Sequence, residues 1–173
     1  INKRFSIDNW EEINEIFKTE NTKKFKLNIS YRSTRQIMKR AGEILISAGI
    51  SDNIPQSVAR DGNEVVEELF ATKQLMVKKT IEEIAKLREV SKKSIGVILT
   101  SDFPINGVSA KLNEANVPHE VITEFFDNFK KDSIYLVPVN LVKGLEFDSV
   151  FVLSFNSVDF SDKIEGVFKK FVC

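Results

Sequence analysis

Three short apolar runs constrain the fold of this chain more than any other feature. Residues 94–100 (SIGVILT), 134–139 (IYLVPV) and 150–153 (VFVL) are rich in β-branched side chains and have the length of fully buried strands. Amphipathic helical patterns separate several of the strand patterns along the chain. Apolar strands that alternate with amphipathic helices indicate an α/β fold, in which a mostly parallel sheet is covered on both faces.

The remaining elements are predicted from periodicity and from turn and cap residues. We expect helices over residues 8–18, 34–48, 73–90 and 105–116, and weaker strands over 25–29, 64–71 and 119–123. Residues 51–63 contain Pro55 and Gly62 and are interpreted as an exposed loop.

Two of these helices have a recognisable apolar face. In the first, Trp10, Ile13 and Phe17 are at helical spacing, which predicts core packing; a base-stacking platform is the alternative. In the helix over 73–90, the apolar positions among many charges are Leu75, Ile81, Ile84, Ala85 and Leu87.

The composition is that of one globular domain, and we take residues 1–173 as a single unit. The chain is 42% hydrophobic and 29% charged. Lys plus Arg and Asp plus Glu each total 25, so the formal net charge is zero. Any contact with nucleic acid would therefore have to come from a local group of charges.

Nothing in the sequence predicts a membrane span, a disulfide or a metal site. The apolar runs are far shorter than the ~20 residues that a span requires, and no charged-then-apolar leader is visible. The single cysteine, Cys173, leaves no internal disulfide and no CxxC pair, and His119 is the only histidine. We therefore expect a cytoplasmic protein without membrane contact.

Two segments do not look like ordinary packing. In residues 27–37 (LNISYRSTRQI), a strand delivers an aromatic ring and a guanidinium onto the turn before a helix. In residues 142–151 (VKGLEFDSVF), a glycine and an acid come just ahead of a buried strand. Because ligands of such sheets gather at the carboxyl ends of the strands, we expect both segments to lie there.

These segments resemble two motifs of the UvrD/Rep/PcrA helicases of superfamily 1. LNISYRST followed by a helix is similar to motif IV, and KGLEFDSVF is similar to motif V, in the same order along the chain. The resemblance extends over roughly residues 10–155. It implies a RecA-like, P-loop NTPase-type three-layer lobe, the C-terminal one of two motor lobes.

The resemblance implies roles for the matching residues only. Tyr31 would stack on the adenine of ATP, and Arg32 would be the catalytic residue at the γ-phosphate, where such an arginine contributes ~10³-fold or more to turnover. Glu146 would accept hydrogen bonds from the ribose hydroxyls, Gly144 would permit close backbone approach, and Lys143 would lie near the nucleotide or near the nucleic-acid strand that the motor tracks. The alternative for each charged residue is an ordinary solvated surface position.

The residues just before KGLEFD depart from many members of the family. Where those carry Thr-x-His against the DNA backbone, this chain has Pro138 and Asn140. Asn140 can hydrogen-bond a phosphate, so we assign it to nucleic-acid binding, whereas Pro138 has no hydroxyl to offer. The version VPVNLVKGLEFD is more similar to the helicase IV-like branch, which includes factors that work on RNA polymerase.

Several motifs of the family are missing from these 173 residues. There is no GxxxxGK[ST] phosphate loop, no Asp-Glu pair after an apolar strand and no final arginine-bearing motif. We therefore expect a fragment that binds no cofactor tightly and does not hydrolyse ATP alone, from a parent ATP-dependent DNA helicase that uses ATP and Mg²⁺. Near its end, Val167, Phe168 and Phe171 are expected to expose an apolar patch.

Three functions stay open at this point. The first is a lobe that completes an ATP site and a single-stranded DNA track together with an N-terminal motor lobe. The second is an ATP-driven remodelling factor whose partner is RNA polymerase. The third is a stand-alone α/β binding domain, because fold alone never excludes other functions.

Overall fold

The computed structural model describes most of the chain from the first motif onward. The described residues are 17, 23, 25, 29–47, 49, 56–57, 60–91, 93–100, 103–124, 126, 129–154 and 167–172. The strands are β1 (Ile29–Ser30), β2 (Gln56–Ser57), β3 (Val66–Leu69), β4 (Ile95–Leu99), β5 (Glu120–Val121), β6 (Ile134–Pro138), β7 (Ser149–Ser154) and β8 (Val167–Val172). The helices are α1 (Arg35–Ser47), α2 (Lys73–Val90) and α3 (Ile105–Glu114), with a 3₁₀ helix at Val139–Leu141.

The main sheet has the strand order β3-β8-β7-β4-β6-β5 among the described residues. Strands β7, β4, β6 and β5 are parallel, with Ile95 opposite Ile134 on one side and Ser149 on the other. Strand β8 is antiparallel to both β7 and β3. The predicted α/β class with a mostly parallel sheet is therefore confirmed, and the three apolar runs are its three adjacent central parallel strands.

One face of this sheet carries α2 and α3. Because side chains alternate along a strand, Ile95, Val97 and Leu99 of β4 all point to this face, together with Phe151 of β7. The helices cover them with buried residues such as Met76, Ile84, Val108 and Leu112. This cluster is the principal core of the described part of the chain.

The buried stripe of α2 differs from the predicted one. Met76, Val77, Thr80 and Ile84 are buried, whereas Leu75 is 49% exposed and Ala85 is exposed. Spacings of one, three and four residues keep the buried set on one side of the helix, and Leu75 and Ala85 lie off that side. The prediction was wrong for those two residues because hydropathy alone did not fix the phase of the helix.

The other face of the sheet is covered by the connection between β6 and β7. Its core is Ile98, Ile122, Tyr135 and Val137, against which Leu141, Leu145, Phe147 and Phe126 pack. The connection leaves the carboxyl end of β6 and returns to the amino end of β7, passing over β4, which lies between them. The second predicted motif therefore lies on this face.

Helix α1 lies on the same side, beside the small parallel sheet formed by β1 and β2. Arg40 of α1 pairs with Glu67 of β3 and with Glu43, and the hydrogen bond to Glu67 raises the pKa of the Arg40 guanidinium. These polar contacts link α1 to the edge of the main sheet.

The structure adds two strands that the sequence analysis did not predict. Strand β2 lies within residues 51–63, which we interpreted as a loop, and β8 lies where we predicted only an exposed apolar patch. In the structure the backbone of β8 is paired on both sides, so this segment is part of the sheet.

Two further expectations concern the start of the chain and its relation to membranes. The helix predicted over residues 8–18 lies outside the described residues except for Phe17. Phe17 is 58% exposed, so the prediction that it packs in the core was wrong.

Within the described part of the chain, no helix combines the length and apolarity needed to cross a membrane.

Candidate functional site

Two motif residues that are far apart in sequence meet in the structure. Nε of Arg32 lies 2.6 Å from Oε1 of Glu146. Arg32 is in the bend between β1 and α1, and Glu146 is in the connection between β6 and β7. Their side chains are 76% and 63% exposed, so a ligand can reach both from solvent. The fold thereby brings the two predicted segments to one place.

The bend that carries Arg32 is anchored through Thr34. Thr34 is buried, and its Oγ1 accepts a hydrogen bond of 3.5 Å from the backbone N–H of Ile37, which caps the first turn of α1. The backbone N–H of Arg35 donates to the carbonyl oxygen of Arg60 at 3.0 Å. A Cβ placed on Gly62 would lie 2.5 Å from Cγ2 of Thr34, so glycine permits this close approach. Residues 60–62 thus hold the bend in place.

The segment that carries Glu146 turns at Gly144. Gly144 has φ +89°, a conformation that favours glycine, and open space lies where its Cβ would be. The backbone N–H of Leu145 donates to the carbonyl oxygen of Val142 at 3.1 Å, closing the turn. Gly144 therefore directs the chain toward β7 and places Glu146 at the surface.

A cleft of about 900 Å³ opens beside the Arg32–Glu146 pair. Its apolar wall includes Ile37 from α1, Ile98 and Val150 from the sheet, and Val142 and Leu145 from the connection. This volume is within the range of ~300–1,000 Å³ that small-molecule sites occupy. The cleft is thus large enough for a nucleotide-sized ligand.

The side chains along this cleft include one more basic than acidic group. Four basic and three acidic side chains line it: Arg32, Arg60, Lys93, Lys131, Asp61, Glu146 and Asp148. Asp61 pairs with Arg35, Glu146 pairs with Arg32, and Asp148 accepts hydrogen bonds from Ser94. This is a local group of charges in a chain with zero net charge, and its sign suits an anionic ligand.

The cleft opens at the opposite end of the sheet from the one we predicted. Lys93, Ser94, Lys131 and Asp148 line it, and they come just before β4, β6 and β7. These are the amino ends of the parallel strands, not their carboxyl ends. The reason is the connection between β6 and β7, which has to return to the amino end of a parallel strand and carries Glu146 with it.

Asp148 is held by two hydrogen bonds from Ser94, the residue before β4. Its Oδ2 accepts from the Ser94 backbone N–H at 2.9 Å and from the Ser94 hydroxyl at 2.8 Å. The Asp148 N–H in turn donates to Oγ of Ser94 at 3.1 Å. The hydrogen bonds from Ser94 lower the pKa of the Asp148 carboxyl, and partial burial opposes that shift.

A comparison with known families identifies the family of this lobe. The UvrD-like helicase C-terminal domain matches residues 25–134, well over half of the chain. This chain belongs to that family. The match confirms the predicted resemblance to the C-terminal, RecA-like lobe of UvrD/Rep/PcrA-type helicases and includes the segment with Tyr31 and Arg32. No curated protein matches the chain. The helicase IV-like branch stays a prediction.

The other predicted site residues of this UvrD-like lobe do not line the cleft. Tyr31 is 73% exposed next to Arg32, and Lys143 and Gly144 are exposed in the turn before Glu146. Asn140 is exposed in the 3₁₀ helix that follows β6, at the carboxyl end of that strand. The structure therefore brings Arg32 and Glu146 together but leaves Asn140 at the other end of the sheet.

Sequence reasoning missed the residues that anchor the second motif of the UvrD-like lobe. Ser94 and Gly96 contact Asp148 and Phe147, and none of the four was assigned a role. The available signal was Gly96 itself, because a glycine inside an apolar strand often marks a close approach by another group.

Both ring nitrogens of His119 have contacts among the described residues of this lobe. Its Nε2 lies 2.8 Å from the hydroxyl oxygen of Ser109, and its Nδ1 lies 3.0 Å from the carbonyl oxygen of Val117. Both ring nitrogens are thus engaged within the fold. Trp10 lies outside the described residues.

Proposed function

We propose that this lobe completes an ATP site together with a second motor lobe and drives movement along single-stranded nucleic acid. The observation that carries the proposal is the 2.6 Å contact between Arg32 and Glu146 at the mouth of the cleft. Two residues with proposed nucleotide roles come from distant parts of the sequence and meet at one accessible place. The family match supports a helicase lobe as the setting of this contact.

In this proposal Arg32 acts on the γ-phosphate of ATP. A guanidinium is always charged and presents a planar set of N–H donors, which fits phosphate oxygens and the charge that develops on them during transfer. Arg32 has the exposure that such a role requires, since its side chain is 76% accessible. The excess of basic side chains along the cleft adds a favourable field for the phosphates.

Glu146 has two alternating partners in the proposed cycle. Without nucleotide its carboxylate pairs with Arg32. With nucleotide it would accept hydrogen bonds from the ribose hydroxyls while Arg32 turns to the γ-phosphate. Because an exposed ion pair is worth only ~0–1 kcal/mol, its separation costs little compared with the hydrogen bonds that the nucleotide would supply.

The remaining site residues keep more peripheral roles. Tyr31 offers an exposed ring for the adenine, and Gly144 and Lys143 lie in the turn beside Glu146. Asn140, at the carboxyl end of β6, would contact a phosphate of the nucleic acid. The connection over residues 139–148 would then join the nucleic-acid contact to the nucleotide contact.

Mg²⁺ is expected to accompany ATP, where it would neutralise charge on the phosphate oxygens. Among the described residues, no three histidine, cysteine, aspartate or glutamate side chains are grouped so that they could hold a metal ion. In this proposal the second lobe supplies the magnesium ligands and the phosphate-binding loop, and this lobe alone binds no cofactor tightly.

The test is the steady-state ATPase activity of a protein that carries both motor lobes, with and without single-stranded DNA. Arg32→Ala is expected to lower turnover about 10²-fold or more while nucleotide binding and the thermal midpoint survive. The matched control is Arg35→Ala, which removes a nearby exposed arginine whose ion pair with Asp61 is similar. Equal turnover in the wild type and Arg32→Ala would refute the proposal.

The same assay separates the alternatives. Strong stimulation by single-stranded DNA supports the translocase, whereas stimulation by RNA polymerase with little effect of DNA would support a remodelling factor. No observation on the described surface favours RNA polymerase as the partner. A stand-alone α/β binding domain would bind its ligand without a second lobe, and the family match gives it no support.

A further inference from the structure

We propose that Ser94 and Gly96 of the β4 region are positioning residues that fix Glu146 for its contact with the ribose. The inference rests on the proposed function and deepens it. Gly96 does not line the cleft, and Ser94 lines it with its hydroxyl engaged by Asp148. Both act through Phe147 and Asp148, the two residues that follow Glu146 directly.

The first anchor is the packing of Phe147 over Gly96. A Cβ placed on Gly96 would lie 2.5 Å from Cδ2 of the Phe147 ring and 2.8 Å from Cε2 and Cγ. Such distances are far below a van der Waals contact, so a residue with a side chain at position 96 would displace the ring. The ring also packs against Tyr135, with centroids 5.8 Å apart. Phe147 therefore has its place only because position 96 is a glycine.

The second anchor is the set of hydrogen bonds around Ser94. The hydroxyl of Ser94 donates to Oδ2 of Asp148 and accepts from the Asp148 N–H, while the Ser94 N–H donates to the same Oδ2. The backbone N–H of Ser149 donates to the Ser94 carbonyl oxygen at 3.1 Å. These hydrogen bonds fix the chain immediately after Glu146 to the amino end of β4.

Glu146 itself has little to hold it. It is exposed, and its ion pair with Arg32 joins two long side chains at the surface. Its backbone direction is therefore set by the turn at Gly144 on one side and by the two anchors on the other. A loss of either anchor would leave the carboxylate present but displaced, and hydrogen bonds to hydroxyls tolerate little displacement.

A glycine in the middle of a buried strand is unfavourable for the strand, so it calls for a physical reason. On β4 this glycine is Gly96, and its neighbours Ile95 and Val97 are both buried on the other face of the sheet. The approach of Phe147 supplies that reason. The glycine at position 96 is thus explained by the packing of the connection between β6 and β7 over β4, and not by the requirements of β4 itself.

The experiment compares ATP with 2′,3′-dideoxy-ATP in a protein that carries both motor lobes. Wild type should have a KM for the dideoxy nucleotide about tenfold or more above that for ATP, because Glu146 loses its hydrogen-bond donors. Glu146→Ala should make the KM values for the two nucleotides equal. Gly96→Ala and Ser94→Ala should lower the ratio toward one, mainly through a higher KM for ATP, with kcat changed less than about threefold.

Two kinds of control separate positioning from general damage. Ser133→Ala changes a serine directly before β6, and Gly107→Ala changes a glycine whose added Cβ would meet only an ordinary contact of 3.4 Å; both should keep the wild-type ratio. Phe147→Leu combined with Gly96→Ala should recover part of the ratio, because the smaller side chain makes room for the added methyl group. If Gly96→Ala does not fold, Ser94→Ala carries the test.

The outcomes distinguish this proposal from the one on which it rests. A wild-type ratio retained in folded Gly96→Ala and Ser94→Ala overturns the positioning role while the ATP site stands. If the wild type does not discriminate between ATP and the dideoxy nucleotide, but Arg32→Ala loses turnover, the ribose contact is overturned. The positioning role is then overturned with it. Unchanged turnover in Arg32→Ala removes the proposed function itself.

Discussion

Among the single residues, the two carboxylates of the second motif have different tasks. Glu146 is exposed and pairs with Arg32, a contact that contributes at most ~1 kcal/mol to stability and is open to exchange. Asp148, two residues later, accepts two hydrogen bonds from Ser94 and holds the segment to the sheet. Glu146 is thus accessible to a ligand, whereas Asp148 is engaged in hydrogen bonds that hold the fold together.

The pKa of Asp148 leads to a prediction on acid stability. Because the hydrogen bonds from Ser94 lower this pKa in the folded state, the carboxylate stabilises the fold at pH values above its ordinary pKa of 3.8. That stabilisation is lost as the pH falls below this value through the lowered folded-state pKa. Asp148→Asn should therefore be less stable than wild type at pH 7, by about 1 kcal/mol after allowance for exposure, and the gap should shrink toward pH 2.

Urea unfolding of the chain at several pH values between 2 and 7 measures this effect. Glu124→Gln is the control, since Glu124 is exposed and has no hydrogen bond or ion pair to another described residue. A gap between Asp148→Asn and wild type that stays constant over this range would show that the charge of Asp148 is not what stabilises the fold.

Among the secondary-structure elements, helix boundaries follow from local chemistry. Helix α2 begins after Thr72, whose Oγ1 accepts a hydrogen bond of 3.1 Å from the backbone N–H of Leu75. Helix α1 begins after Thr34 in the same way. Both starts were predicted to within a residue; a cap within residues 30–34 was expected for α1, whereas the cap of α2 by Thr72 was not predicted.

The cap of α2 can be tested without touching the core. Thr72→Ala should lower the free energy of unfolding by about 1 kcal/mol, because the N–H of Leu75 loses its acceptor. Thr72→Ser keeps the hydroxyl and should retain most of that stability. Urea denaturation of both variants is the measurement, and equal loss in the two would mean that the methyl group of Thr72 matters more than its hydrogen bond.

For the molecule as a whole, stability comes from the sheet face under α2 and α3. Phe151 of β7 is fully buried there, between strands and helices that come from distant parts of the sequence. Phe151→Ala should therefore cost about 3–5 kcal/mol of unfolding free energy, since it leaves a large cavity. The comparison is Val90→Ala at a position 81% exposed, where a change below about 0.5 kcal/mol is expected. An equally small loss of unfolding free energy in Phe151→Ala would contradict the burial of Phe151 in this core.

The α/β class, the central strands and the bounds of the three described α-helices to within a few residues could all be predicted without the structure. Strands β4, β6 and β7 were visible because parallel strands buried on both faces require continuous apolar runs. The motif segments also identified Arg32 and Glu146 as candidates, since their residue types and order resemble those of a helicase lobe. These features are local, so a short window of sequence contains them.

Where those segments lie, and what holds them, could be learned only from the folded chain. The placement of the cleft at the amino ends of the strands depends on the return of the chain over β4, and no local pattern contains that path. The pairing of Arg32 with Glu146, the packing of Phe147 on Gly96 and the bonds from Ser94 to Asp148 all join residues that are far apart in sequence. Contacts of this kind follow from the order of strands in the sheet, which forms only when the whole core is assembled.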